Sequence, residues 1–225
     1  MTTPKRPQTG GSEPLRYRQD SPEFGRVVTL SDGVFAIALT LLVLTLDVPD
    51  VSADRLGRAL VDEVQQVVVF VLSFALVAGI WWFHHKLVAQ LALLEPAMIA
   101  MNLALLGLVA LVPFPTNLVG NTPTARAAVL ALIGVFLATS VVFIAILLRA
   151  QQVAAWRTPP SRQLFRWLIL GWVGQLGGMT LAMVATVWAP LAGLVIAVAT
   201  GTVVGGLLSI LGPSSYRQWR ARPGL

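Results

Sequence analysis

The chain has 225 residues, 56% of them hydrophobic and 12% charged, with a mean hydropathy of +0.77. Soluble domains carry about 25% charged residues, so an ordinary soluble enzyme is excluded and an all-α integral membrane protein is expected. In so apolar a chain the formal charge of +6 points to basic loops rather than to nucleic acid, and the lack of cysteine excludes disulfides, thiolate nucleophiles and Cys metal sites.

A helix crossing hydrocarbon about 30 Å thick needs roughly 20 apolar residues, which leaves room for six spans and for no large extramembrane domain. Residues 1–24, with Pro4, Pro7, Pro14 and Pro22 among charged side chains, read as a disordered tail. No A-x-A-like cleavage site follows, so the first apolar run is expected to stay in place as a helix. A transmembrane domain over 25–212 and a basic tail over 213–225 complete the predicted organisation.

The first span is expected at 27–48, followed by a short acidic loop with Asp47, Asp50 and Asp54. The second, 61–87, ends in Trp81, Trp82, Phe83, His84, His85 and Lys86, an aromatic and basic cluster of the kind that sits at a membrane interface. A tight turn at Glu95-Pro96 leads into the third, 96–112, which holds Asn102 and is expected to stop at Pro113-Phe114-Pro115. The fourth, 127–148, the fifth, 164–188, and the sixth, 191–211, follow, with Ala189-Pro190 turning between the last two. Lys and Arg gather on the two tails and on the loops after the second and fourth spans, leaving Arg55, Arg58 and Arg126 on the other side. The positive-inside rule then places both termini in the cytoplasm.

Asp32 is the unusual residue of the first span. An ionisable group inside a membrane suggests function, while a carboxylate near a helix N-terminus is also favoured by the macrodipole; composition leaves both readings open. At about 100° per residue, Ile37, Leu41, Leu44 and Val48 point in one direction, flanked by Thr40 and Asp47, while Ser31 and Asp32 point well away. Periodicity alone makes that stripe a lipid-contact or packing face. The run from Thr200 to Gly206 has the letters of a carbonyl filter, but it lies inside an unbroken apolar span without a re-entrant loop and reads as packing. The sequence contains no Walker A, G-x-S-x-G or H-E-x-x-H motif, and no enzyme is expected.

Arg26-Val-Val-Thr-Leu30-Ser31-Asp32, with Ile37 and Thr40 after it, resembles the R-x-x-x-F-S-D signature that opens the first helix of the transmembrane protein 175 family of potassium channels. Leu30 departs from the family's Phe. His84-His85-Lys86, Asn102-Leu103 and Pro113-Phe114-Pro115 are also similar to prokaryotic single-repeat members, whereas the later half resembles the family only in span count and hydrophobicity.

The resemblance implies a homotetramer of six-helix subunits in a prokaryotic plasma membrane. Its first helices would line a central pore that passes potassium and other monovalent cations without a carbonyl filter or a cofactor. It implies a narrowest ring at Ile37, further aliphatic rings at Leu41 and Leu44, and a threonine at Thr40 associated with selectivity. It also implies a network from Arg26, Ser31 and Asp32 to neighbouring helices, for which His84, His85 and Asn102 are partners at similar depth. A direct Arg26–Asp32 pair within one helix is not expected, because a spacing of six is not i, i+4. Asp47 is placed by topology at the outer mouth, where it either concentrates cations or is a solvated loop charge. His84-His85-Lys86 also suits the C-terminal end of a helix dipole. The alternative function is a proton-coupled transporter or proton pathway in which Asp32, His84 and His85 titrate.

Overall fold

The computed structural model describes residues 15–47 and 51–221, with backbone alone at 53–54, 59–60, 62, 202–209 and 219–221. Val48, Asp50, most of the N-terminal tail and the end of the basic tail lie outside the described residues, as does the side chain of Asp54. Tyr17–Arg18, which the sequence reading places in the tail, form a short strand β1 that pairs antiparallel with β2, Leu93–Leu94.

Helix α1 is Pro22–Leu41. It starts before the expected boundary because its first turn is well provided for. The Ser21 hydroxyl accepts from Phe24 N at 3.3 Å, Pro22 has no N–H to leave unpaired, and Glu23 faces the positive end of the dipole. The helix tightens into a 3-10 turn at Leu42–Thr45, where the Thr45 hydroxyl donates back to Leu42 O at 2.7 Å. Phe24, Ser31, Phe35, Ala38 and Leu42 are buried along one stripe, and the opposite face is exposed. The acidic connection holds a further helix α2, Ala53–Asp62, before α3, Val64–Val88.

The third span does not stop at Pro113. Helix α4, Pro96–Leu111, passes through Val112 with helical dihedrals into α5, Pro113–Asn121. Proline is tolerated at the first position of a helix, where its missing N–H costs nothing. Val112 N bonds Val109 O at 3.1 Å and Thr116 N bonds Val112 O at 3.1 Å, so the ladder resumes on the far side. The polar loop expected from Pro113 to Arg126 therefore shrinks to a few residues.

Helices α6, Arg126–Gln152, and α7, Arg162–Trp188, complete the five stretches that are long and apolar enough to cross a membrane among the described residues. The sixth expected span is the helix α8, Pro190–Leu211, of which Pro190–Gly201 is an apolar stretch among the described residues. Helix α9, Ser214–Ala221, forms where a plain tail was expected.

Helix α6 packs centrally. Its Phe143 stacks on Trp172 of α7, centroids 4.3 Å apart, and meets Phe83 of α3 edge-on at 5.2 Å. Helices α7 and α8 approach closely through glycines. A Cβ on Gly178 would lie 2.2 Å from Thr200, and one on Gly193 would lie 1.9 Å from the Thr186 hydroxyl. Only small residues permit such backbone contact in a membrane. The filter-like letters around Thr200 and Gly201 are thus part of a packed helix, with Gly201 against Leu76.

The end of the molecule that carries β1 and β2 is sewn together by backbone. Gln19 N bonds Ala92 O, Ala92 N bonds Ala155 O, and Arg157 N bonds Gln90 O, at 2.9, 2.7 and 2.8 Å. The buried Glu95 carboxylate pairs with the Arg149 guanidinium there, tying the start of α4 to the end of α6.

Candidate pore-lining helix and its supporting network

The buried side of α1 carries the polar network. Ser31 is the buried hydroxyl within α1 itself, and it faces Asn102 of α4 and His84 of α3. The Asn102 amide nitrogen donates to Ser31 Oγ at 2.9 Å, and Ser31 Oγ donates to Val27 O at 2.8 Å. His84 Nε2 lies 2.8 Å from Asn102 Oδ1, which can only accept, so Nε2 carries the proton. Phe35 covers the imidazole at 5.5 Å. All three polar residues are almost wholly buried. The network is satisfied from end to end and pins α1, α3 and α4 together; a satisfied buried network specifies one arrangement.

Asp32 does not join it. Its Oδ1 accepts from Trp81 Nε1 at 3.0 Å, and Trp81 stacks on His85 at 5.5 Å. Of the expected partners for Ser31 and Asp32, His84 and Asn102 thus serve Ser31, while Asp32 takes an indole that the sequence marks only as interfacial. His85 reaches the pair through its ring alone. Arg26 is exposed, and among the described residues it enters no ion pair within the chain, including none with Asp32.

The opposite face of α1 is uncovered. Ile37 is 60% exposed, Leu41 41% and Leu44 73%, and the Thr40 hydroxyl beside them turns back to Ile37 O at 2.8 Å. Leu30 and Arg26 continue the same exposed face toward the helix start. At the other end Asp47 is held rather than free. Its N–H donates to Gln66 Oε1 at 2.9 Å, and Gln66 Nε2 donates to Asp47 Oδ2 at 3.2 Å and to Asn121 Oδ1 at 2.9 Å. Gln65 Nε2 donates to Gly120 O at 2.8 Å. Sequence reasoning missed this second polar layer. Its signal was present: Gln65-Gln66 opens an apolar span, and Asn117 and Asn121 are one turn apart on α5.

Among the described residues no three His, Asp or Glu side chains gather to hold a metal ion. The donor chain from His84 runs through Asn102 and Ser31 to the backbone carbonyl of Val27, inside α1.

Comparison with known proteins finds the family expected from the first-helix motif. Residues 26–113 match the model of the family described as the endosomal/lysosomal potassium channel TMEM175. A potassium channel of Chamaesiphon minutus is 39% identical over 130 residues, 55% of this chain and 64% of that one. A potassium channel of Streptomyces collinus is 38% identical over 100 residues, 44% of this chain and 48% of that one. The matched stretch spans less than two thirds of either relative. The crystal structure of a lysosomal potassium-selective channel TMEM175 homolog from Chamaesiphon minutus superposes with a TM-score of 0.73 at 29% identity, covering 82% of this chain and 97% of that one. A variant of the potassium channel MtTMEM175 shares the fold, with a TM-score of 0.55 at 20% identity over 87% of this chain and 91% of that one.

Proposed function

We propose, from the family match over its first half, that this chain is one subunit of a potassium-permeable cation channel. In this reading four copies assemble with α1 innermost, each subunit contributes six spanning helices with both termini in the cytoplasm, and the assembly sits in a prokaryotic plasma membrane. The observation that carries the reading is the two-sided character of α1. One face is locked to α3 and α4 by Ser31, Asn102 and His84, and the other leaves Ile37, Leu41 and Leu44 uncovered within the same chain.

Rings of four such side chains form an apolar constriction. A hydrophobic constriction gates by dewetting, because an ion stripped of water gains nothing from aliphatic walls. Ile37 is the narrowest ring, Leu41 and Leu44 lie outward of it, and Thr40 supplies the polar atoms nearest the constriction. No carbonyl filter is needed in this scheme. Selectivity arises where a partly hydrated ion passes the Thr40 level. Asp47, held by Gln66 at the outer end of α1, adds negative potential at the mouth.

The proton-coupled alternative needs titrating groups linked across the membrane. The hydrogen-bonded chain from His84 instead ends on a backbone carbonyl, which favours a structural role for it.

Ion flux into liposomes holding the purified protein tests the reading. A potassium gradient should drive flux that is unaffected when the proton gradient is clamped, and Ile37→Asn should raise basal flux about tenfold or more by wetting the constriction. Flux that requires a proton gradient would reject the channel, and unchanged flux in a normally assembled Ile37→Asn protein would move the constriction elsewhere.

A further inference from the structure

On the far side of α3 from the network lies a slot of about 390 Å³ between α3, α6, α7 and α8, bordered also by Tyr216 of α9. The volume falls in the range of small-ligand pockets, roughly 300–1,000 Å³. Its walls are apolar and aromatic along most of their length, with Trp82, Phe83, Trp167 and Trp172 among them. Thr139, Ser140 and Gln175 also line it; the two hydroxyls donate to the carbonyls of Val135 and Phe136 at 2.9 and 3.0 Å, and the Gln175 amide is the neutral polar group that α7 adds to the otherwise apolar wall. On the α3 side the slot is open at Gly79, where a Cβ would meet nothing within 4 Å.

One end differs in chemistry. Lys86, in the last turn of α3, lines the slot with its ammonium 5.0 Å from the centre of the Trp82 ring. Lys86 is nearly buried while Trp82 is 49% exposed, so the cation sits just inside an aromatic rim. No acidic side chain is among the described residues lining the slot. Long basic side chains bury their stems and hold their charge at the membrane interface, and basic pockets between membrane helices bind anionic headgroups.

We propose that this slot seats an anionic phospholipid of the surrounding bilayer, with an acyl chain along α3, α6 and α7 and the headgroup phosphate at Lys86. The site depends on the membrane-spanning helices but not on the pore, and it stands if the channel reading fails. The charge at one end and the apolar length behind it select an amphiphile over a soluble anion, and the position among membrane spans selects a lipid.

The test is native mass spectrometry of the full chain released from detergent, after equilibration with dioleoylphosphatidylglycerol, dioleoylphosphatidylcholine or oleate. Phosphatidylglycerol should be retained about fivefold better than phosphatidylcholine, the preference one basic residue near a membrane surface confers. Lys86→Gln should abolish that preference. Gly79→Leu, which fills the slot and improves helix propensity, should remove the bound lipid without lowering the unfolding midpoint in lipid-free detergent, so the outcome does not depend on Lys86→Gln folding. Equal retention of the two phospholipids would overturn the proposal, as would phosphatidylglycerol binding that survives Gly79→Leu. Preferential retention of oleate would assign the slot to a free fatty acid instead. Loss of oligomer in Gly79→Leu with lipid retention unchanged would make it a subunit interface.

Discussion

Asn102 is the residue on which the α1 network turns, because it alone touches both of the other members. Replacing it with Leu leaves the His84 imidazole and the Ser31 hydroxyl without this shared partner in a buried site. Stranding a buried donor or acceptor costs about 1–3 kcal/mol, so Asn102→Leu should lower the unfolding midpoint clearly in a thermal melt followed in detergent; an unchanged midpoint would mean that water or a neighbouring subunit replaces the amide. Asp32→Ala makes the contrast. Asp32 is exposed and loses one hydrogen bond, to Trp81, so its cost should stay below about 1 kcal/mol. The resemblance marks Arg26, Ser31, Asp32, His84, His85 and Asn102 as one group; the structure divides five of them in two and leaves Arg26 exposed and apart from both. Helical direction explains why: adjacent residues differ by about 100°, so Ser31 faces inward while Asp32 turns toward the aromatic end of α3. Which ring waits there depends on the rotation of α3 against α1, and no pattern within either helix records that rotation.

Helix ends are where element-scale reading succeeds or fails. Glu95-Pro96 is a local signal that the sequence reading uses, and α4 starts at it; Ser21-Pro22 is a signal of the same kind that it passes over, since the first span is expected only from 27 while α1 starts at Pro22. The end of α6 is harder to read, because Ala154 adopts the left-handed conformation at φ 52 that glycine usually supplies. Ala154 N bonds Gln151 O and Ala155 N bonds Ala150 O, the pairing that closes a helix through a left-handed residue. A Cβ in that region costs about 1 kcal/mol, partly offset by the greater chain entropy of glycine. Ala154→Gly should therefore stabilise the protein by about 0.5 kcal/mol, seen as a small rise in the unfolding midpoint, and a fall would show that the alanine methyl packs usefully. Pro113 was read as a stop because proline usually ends a helix. It failed as a stop signal here because Val112 keeps helical dihedrals and the proline then begins α5. The β1–β2 pairing was beyond reach for another reason: its two-residue strands lie more than 70 positions apart, and their sequences carry no period to detect.

At the scale of the whole molecule the question is what covers the free face of α1. A face turned to lipid should be apolar throughout, since polar groups in hydrocarbon are costly. This one carries Arg26 near its start, Thr40 in the middle and Asp47 beyond its end, with Leu30, Ile37, Leu41 and Leu44 between them, all exposed. Under the proposed function this face meets water and copies of itself about an axis. The lack of cysteine allows a direct test, because any disulfide in a single-cysteine variant must join two chains. Leu44 and Val43 are neighbours of comparable exposure, 73% and 51%, and point in different directions around the 3-10 turn. If α1 surrounds a central axis, Leu44→Cys should give disulfide-linked dimers under mild oxidation in membranes, while Val43→Cys should cross-link far more slowly. Equal rates at the two positions, or no dimer at either, would mean that the free face of α1 looks outward to lipid and that the aliphatic stripe does not line a pore.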